Sequence, residues 1–292
     1  MNKYDPSAIG SDIPRSFAQC VVRQLAFFLV KILGLNKAGF FSTEVVQQIN
    51  PICSIQTKFG KLYCKGGHGR LRWRALTFYS EEPNTVKWLE SLSEEDLLWD
   101  VGANVGLYSI YAAKYAKCKV LAIEPEAQNF AILVENIVLN KIQDYVEVMN
   151  VAITNNFGFG KLLVHSLTKG GAYNFFTFEP TNDTEITQRQ IGISLDDLSL
   201  RFGFKWPTYL KIDVDGNEPE IIQGAQFLLK SGQLKSLLIE VQKNHPAHVQ
   251  MIEIILAAGY ECISNRSNWE SRRNRTRENE RPTTNMILIK KT

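Results

Sequence analysis

The sequence lacks several features that a chain of 292 residues could carry, and each absence closes off a class of protein. Its 5 cysteines are odd in number and no two stand at C-x-x-C spacing. That argues against a disulfide framework or a cysteine-held zinc, and for reduced thiols in a cytoplasmic protein. The apolar run 25–30 is far shorter than the ~20 residues that cross a bilayer. The opening residues are polar, without the basic region and apolar core of a secretory signal. Repeats and low-complexity tracts are missing apart from one Arg/Asn/Glu-rich stretch. With 45% hydrophobic and 22% charged residues, the chain is neither disordered, collagen-like nor multi-span. Charge of one sign is also scarce. The net +3 equals the excess of six arginines over three glutamates between Arg266 and Arg281, which leaves the remainder balanced. Such a balance is unlike that of a nucleic-acid binder. No tight spacing of His, Asp and Glu marks a metal site.

The length fits one large domain or a domain with an appendage. Near the amino terminus Phe17, Val21, Leu25, Phe28, Ile32 and Leu35 recur at helical spacing, with Gln19, Arg23 and Lys31 on another face. Two readings of this amphipathic helix, 17–35, stand open. It packs on the main domain or on a second copy of the chain as a homodimer, or it lies in the plane of a membrane's inner surface. Residues 56–78 read as short strands with a turn at Gly66-Gly67. A helix follows over 81–92, with Pro83 in its first turn.

From Leu97 onward, short apolar runs alternate with amphipathic segments. Strands are expected at 97–101, 119–123, 145–148, 209–214, 236–241, 260–263 and 285–289, and helices at 108–115, 128–139, 218–230 and 247–258. An irregular insert with a hairpin is read over 155–182. Strands alternating with helices give an α/β fold, a mostly parallel sheet with helices on both faces. No helix separates the last two strands, so the final one can run antiparallel.

After the first of these strands comes Asp100-Val101-Gly102-Ala103-Asn104-Val105-Gly106. Its glycines are spaced G-x-x-x-G, which is neither the dinucleotide pattern nor a P-loop. Glycine lets the backbone approach a ligand, and the carboxylate of Asp100 suits an amine rather than a pyrophosphate. Glu124, at the end of the next strand and about twenty positions on, suits ribose hydroxyls. An amine, a ribose and close backbone approach together point to S-adenosylmethionine.

The chain resembles the FkbM family of class I S-adenosylmethionine-dependent methyltransferases. The resemblance rests on Trp99 to Gly106, Ile123-Glu124-Pro125, Ser194 to Leu198, Leu210 to Glu218, Gly224-Ala225 and Ile239-Glu240, in order. It implies a Rossmann-like seven-stranded sheet with an antiparallel last strand over 81–292, preceded by an accessory region over 1–80. It implies O-methylation of a hydroxyl, often on a sugar or natural product. It further implies that Asp100, Gly102, Asn104 and Gly106 hold the methionine part, that Glu124 holds the ribose, and that Asn150 to Ala152 lie by the adenine. The run Glu82-Pro83-Asn84-Thr85 with Trp88 resembles a lead-in of members linked to surface polysaccharides.

Methyl transfer from an activated donor leaves positioning and removal of a hydroxyl proton to the protein. Ligands sit beyond strand carboxyl ends, which brings Lys211, Asp213, Asp215 and Glu218 into play. Alternation sends Lys211, Asp213 and Asp215 to one side. Asp213 is the favoured site carboxylate, as base or as substrate anchor; Glu218 and His245 are further candidates for the base. Lys211, Asp215, Arg272 and Arg273 are candidate substrate contacts, the arginines meeting an anionic acceptor from the basic loop 266–281. Two other readings remain: a nicotinamide-dependent Rossmann enzyme acting on a sugar, and an RNA-binding methyltransferase using that loop with Lys65, Arg70, Arg72 and Arg74 around Trp73.

Overall fold

The computed structural model describes residues 52–66, 69–180, 186–242, 245–263 and 283–291, with isolated positions between 24 and 34. Most of the segment 17–35, and the whole basic loop 266–281 with Arg272 and Arg273, lie outside the described residues. Among the described residues no helix is long and apolar enough to cross a membrane.

The first elements are β1 (Ile52–Thr57), β2 (Gly60–Lys65), α1 (Gly69–Glu81) and α2 (Pro83–Leu89). β1 and β2 form an antiparallel pair. The strand reading of 56–78 holds for the end of β1 and for β2, and α1 corrects it from Gly69 on: Leu71, Ala75 and Phe78 are its buried residues, at helical spacing, and the basic residues between them obscured that period. Ile55, Leu62 and Phe78 share one core with Leu98, Ile110 and Leu133 of the main sheet and its helices.

The main sheet contains β3 (Leu97–Val101), β4 (Lys119–Ile123), β5 (Val146–Met149), β10 (Tyr209–Ile212), β11 (Ser236–Gln242), β12 (Tyr260–Cys262) and β13 (Thr283–Lys290). Their order is β12-β13-β11-β10-β3-β4-β5. The pairs from β11 through β10, β3 and β4 to β5 are parallel, while β13 runs antiparallel to both β11 and β12. α3 (Leu107–Ala116), α4 (Ala127–Asn140) and α8 (Pro246–Ala257) make crossovers. The last strand lies between β12 and β11, antiparallel to both. Side-chain alternation divides the sheet between two cores. Leu98, Val120 and Ala122 face α3 and α4, while Trp99, Leu121 and Ile123 face the opposite layer with Met251 and Ile255.

Two local features depart from expectation. The segment 218–230 is two helices, α6 (Glu218–Gln223) and α7 (Gln226–Lys230). A Cβ at Gly224 would stand 2.6 Å from the Thr154 carbonyl oxygen, so the chain bends there against its neighbour. Asp196, on α5 (Leu195–Leu200), restarts the helix by accepting hydrogen bonds from the Phe227 and Leu228 amides, at 3.0 and 2.9 Å. The insert is also larger than a hairpin. β6 (Ala152–Ile153), β7 (Gly158–Leu163), β8 (Phe175–Thr177) and β9 (Thr187–Ile193) build a second sheet in the order β6-β9-β7-β8. The polar run Thr187 to Gln190 hid β9 from an apolar-pattern reading.

Candidate active site

Two cavities flank the loop after β3. The first, about 530 Å³, opens at the carboxyl ends of β3, β4 and β10. The loop is tied down by Gly102 and Ala103 amides, each donating to the Ile123 carbonyl at 3.0 Å. Gly102 has φ +79°, and a Cβ there would stand 1.9 Å from the Asp213 carbonyl oxygen. Only glycine permits β10 to lie so close. Gly106, at φ +82°, precedes α3 and packs on Leu133, away from the cavity lining.

Glu124 is the polar centre of this cleft. Its Oε2 accepts the Asn104 amide at 2.8 Å and its Oε1 accepts the Glu126 amide at 2.9 Å. Burial pushes its carboxyl up to about 7, with those amides pulling the other way. Each carboxylate oxygen keeps capacity for a further donor. Asn150 braces the turn by donating from Nδ2 to the carbonyls of Glu124 and Pro125. Ala152, with Val151 and Ile153, supplies an apolar wall.

A strap from the insert crosses this cleft, a feature without any sequence signal. The Gly170 amide donates to Asn129 Oδ1, Asn104 Nδ2 donates to the Gly171 carbonyl, and the Tyr173 amide donates to Asp215 Oδ2. Asn217 then grips Phe176 through both its amide and its carbonyl. Asp215 is thus both cleft wall and strap anchor, at φ 62°. Burial and the neighbouring Asp213 charge push its carboxyl up.

The second cavity, about 630 Å³, lies between α1, the start of α2 and α3. Trp73, Arg74, Glu82, Tyr108, Lys211 and Asp213 line it. Gly102, Asn104 and Asp213 line both cavities, so the two spaces meet at those residues. The second cavity also holds a buried cation. Lys211 is 1% exposed, with Nζ 3.2 Å from Asp213 Oδ2 and 3.4 Å from Asp100 Oδ1. Burial opposes its charge, but Asp213, Asp100 and Glu82 outweigh burial and raise its pKa. Asp100 accepts the Ser109 hydroxyl at 2.6 Å and lines neither cavity. Its carboxylate serves Lys211 rather than pointing into the first cleft.

Two of the expected bases lie elsewhere. Glu218 is 1% exposed and accepts the Val214 amide at 3.1 Å, away from both linings. His245 is exposed at the start of α8, its ring 5.2 Å from that of His248. The buried His248, three residues on, is the one that approaches Glu218, with Nε2 4.0 Å from Oε2. Burial and then His245 lower the His248 pKa to about 4, and burial raises Glu218 to about 7, so this contact is no ion pair at neutral pH.

The two groups act oppositely on stability. An unfolded histidine titrates near ~6.5. As pH falls from there to about 4, the unfolded chain takes up a proton that native His248 refuses, and stability drops. Native Glu218 keeps its proton up to about 7, whereas unfolded it releases it near 4.5. Its contribution is full below the lower value and disappears as pH rises through the higher. Between about pH 7 and about pH 5, His248→Gln is therefore expected to gain stability on acidification relative to the native chain, and Glu218→Gln to lose it. Denaturant titrations at both pH values check this; parallel shifts in the two variants contradict it.

A parallel sheet with one inserted antiparallel strand, a G-x-x-x-G loop and an acidic residue at the end of β4 define a Rossmann-like class I methyltransferase. Residues 100–262 match the methyltransferase FkbM domain model, and the chain belongs to that family. It is 26% identical over 159 residues to hexuronic acid methyltransferase AglP of Haloferax volcanii, covering 54% of this chain and 62% of that protein. It is 27% identical over 153 residues to a tRNA (guanine(37)-N(1))-methyltransferase of Batrachochytrium dendrobatidis, covering 52% of this chain and 30% of that protein. The chain thus spans less than two thirds of the length of these curated relatives. A crystal structure of methyltransferase FkbM from Methylobacillus flagellatus KT aligns at 14% identity with a TM-score of 0.45, covering 75% of this chain and 53% of that one.

Fold and family imply S-adenosylmethionine as methyl donor, and the first cleft has the chemistry to receive it. Glu124 has lone pairs to spare for ribose hydroxyls, and Val151 and Ala152 give an apolar face for a purine. Asp215 offers a carboxylate to the same cleft. Among the described residues no group of three or more His, Cys, Asp or Glu is placed to hold a metal ion.

Proposed function

We propose that this chain transfers a methyl group from S-adenosylmethionine to a hydroxyl of a sugar carrying an acidic group. The junction of the two cavities at Gly102, Asn104 and Asp213 carries this reading, because a donor in one and an acceptor in the other would meet there. S-adenosylmethionine supplies a methyl carbon already activated by its sulfonium. The protein's share is to hold, orient and shield. In the first cleft Glu124 takes the ribose, Asn104 and the bare backbone of Gly102 take the methionine part, and Ala152, with the turn braced by Asn150, flanks the adenine.

The second cavity suits a saccharide. Trp73 is 40% exposed and offers an indole face for a sugar ring, while Arg74 offers a planar fork for a carboxylate. Asp213 has Oδ2 engaged by Lys211, leaving Oδ1 to hold the acceptor hydroxyl at the junction. Arg272 and Arg273, between β12 and β13, would add contacts to an anionic acceptor. The name of the Haloferax relative, a hexuronic acid methyltransferase, fits this acceptor class.

Incubation with methyl-labelled S-adenosylmethionine and three acceptors tests the reading: a hexuronate oligosaccharide, its neutral counterpart and bulk tRNA. Label is expected on oxygen of the acidic saccharide, and Arg74→Ala should raise its KM about tenfold or more, the loss of a charged hydrogen bond. Label in tRNA alone rejects the sugar in favour of RNA.

A further inference from the structure

Glu82 carries no role in the function described so far, yet it occupies the acceptor cavity beside Asp213. The chain goes to some length to place it. Its Oε2 accepts the Thr85 hydroxyl at 2.9 Å and Asn285 Nδ2 at 2.9 Å. Asn285 lies on β13, more than two hundred residues away in the chain, and also donates to Thr85 Oγ1 at 3.2 Å. The Tyr108 hydroxyl donates to the same carboxylate. These partners are two hydroxyls and an amide, all neutral. Asp213, by contrast, spends Oδ2 on the buried ammonium of Lys211 at 3.2 Å. Of the three carboxylates that line the cavity, Glu81, Glu82 and Asp213, Asp213 is tied directly to a cation, and Glu82 is the one held beside it by neutral donors.

We infer that Glu82 is the general base of the reaction: it takes the proton of the acceptor hydroxyl that Asp213 orients. The inference rests on the hydroxyl-methylating reading above. As the O–H bond breaks, its proton goes to the Glu82 carboxylate. The oxygen lone pair forms the new bond to the methyl carbon, and the carbon–sulfur pair stays with sulfur, which becomes a neutral thioether. Glu82 then returns its proton to water as the product leaves. Lys211 remains a cation throughout, paired with Asp213, and its charge also favours the ionised form of Glu82.

Several charged or titratable groups surround Glu82. Lys211 on β10 and Asp213 just after it face it, as does Tyr108 from α3; Arg74 and Glu81 of α1 line the same cavity, and Glu240 on β11 pairs in register with Asn285. Burial and the Asp213 charge push the Glu82 carboxyl up, with Lys211 pulling it down. A carboxyl raised in this way is a better match to a proton-abstraction step near neutrality than an ordinary glutamate at ~4.3. Tyr108 is pushed well above its ordinary range by burial and then by Glu82, so it stays a neutral donor.

The full chain with Glu82→Gln and Glu82→Asp, assayed with labelled S-adenosylmethionine and the same three acceptors, tests the assignment. S-adenosylhomocysteine binding by calorimetry reports the donor cleft independently and shows that each variant is folded. Glu82→Gln is expected to lower kcat by about 100-fold or more, with S-adenosylhomocysteine affinity within twofold of the native chain. The native kcat should fall on acidification with a midpoint above the ordinary glutamate range. Glu82→Asp should keep part of the rate and the same acid limb, while the residual rate of Glu82→Gln should lack it. If the native chain methylates a hydroxyl and Glu82→Gln does so within threefold, or with the acid limb intact, the assignment of Glu82 alone is overturned. If the native chain labels no hydroxyl acceptor at all, the hydroxyl-methylating reading fails and the base assignment falls with it.

Discussion

Alanine at position 102 is expected to abolish donor binding and to destabilise the chain by about 2–6 kcal/mol. Two separate costs add. Holding a residue with a Cβ at φ +79° costs of order 1–3 kcal/mol. The added methyl would then stand 1.9 Å from the Asp213 carbonyl oxygen, a backbone atom, and forcing such a contact costs a further ~1–3 kcal/mol. Relief requires the end of β10 to move, which carries Asp213 and Lys211 with it. Donor and acceptor spaces are therefore disturbed together. Thermal unfolding and S-adenosylhomocysteine calorimetry on Gly102→Ala check both halves. Native-like affinity in this variant would mean that the cleft beside Gly102 is not the donor site.

Lys211→Met is the second large effect. Methionine fills most of the volume of the lysine stem but leaves Asp100, fully buried, with the Ser109 hydroxyl as its hydrogen-bond partner. Removing one partner of a buried ion pair costs about 3–5 kcal/mol, since the remaining charge stays desolvated. Asp213 suffers less, because its side chain is 26% exposed and reaches water. The sign of the second step discriminates this from a simple packing loss. Replacing both members, Lys211→Met with Asp100→Asn, is expected to recover most of the stability, because no unpaired buried charge is left. Denaturant unfolding of the single and double variants near neutral pH measures it. A single-variant loss below about 1 kcal/mol, or a double variant no better than the single, contradicts the view of Lys211 as the electrostatic hinge of the site. Neither variant should turn over, since Asp213 loses its fixed position in both.

The parts of the fold set by local pattern were legible in the residues. The β3 strand, its glycine loop, the acidic end of β4 and the antiparallel return of β13 all follow from short apolar runs, turn chemistry and the lack of an apolar helical pattern in the sequence between the last two strands. What escaped was fixed by contacts between distant segments. Glu82 stands in a run that the family resemblance singles out, yet its use depends on Asn285 from the other end of the chain. Arg74 and Trp73 read as part of a basic, aromatic patch; only the helical period of Leu71, Ala75 and Phe78 turns them toward the site.

Side-chain direction was the other weak point. Alternation set Lys211, Asp213 and Asp215 on one side; Lys211 and Asp213 do pair, but Asp215, at φ 62°, turns to the strap, and alternation could not say that Asp100 would share that cation instead of facing the cleft. His245 and His248 differ by three positions, and the start of α8 decides which is exposed and which is buried against Glu218. The strap over the cleft is held by side chains gripping peptide groups, from Asn104, Asn129, Asp215 and Asn217, and such contacts leave no periodic trace.

The central claim, that the cleft between Gly102, Glu124 and Ala152 is the donor site, is tested most directly by calorimetry of S-adenosylhomocysteine on the native chain and on Glu124→Ala. Loss of hydrogen bonds to a charged group, about 1.5–3 kcal/mol, predicts an affinity lower by about tenfold to 150-fold in the variant, with no heat from NAD on either protein. Equal affinity in the two proteins, or binding of NAD in place of S-adenosylhomocysteine, would contradict it.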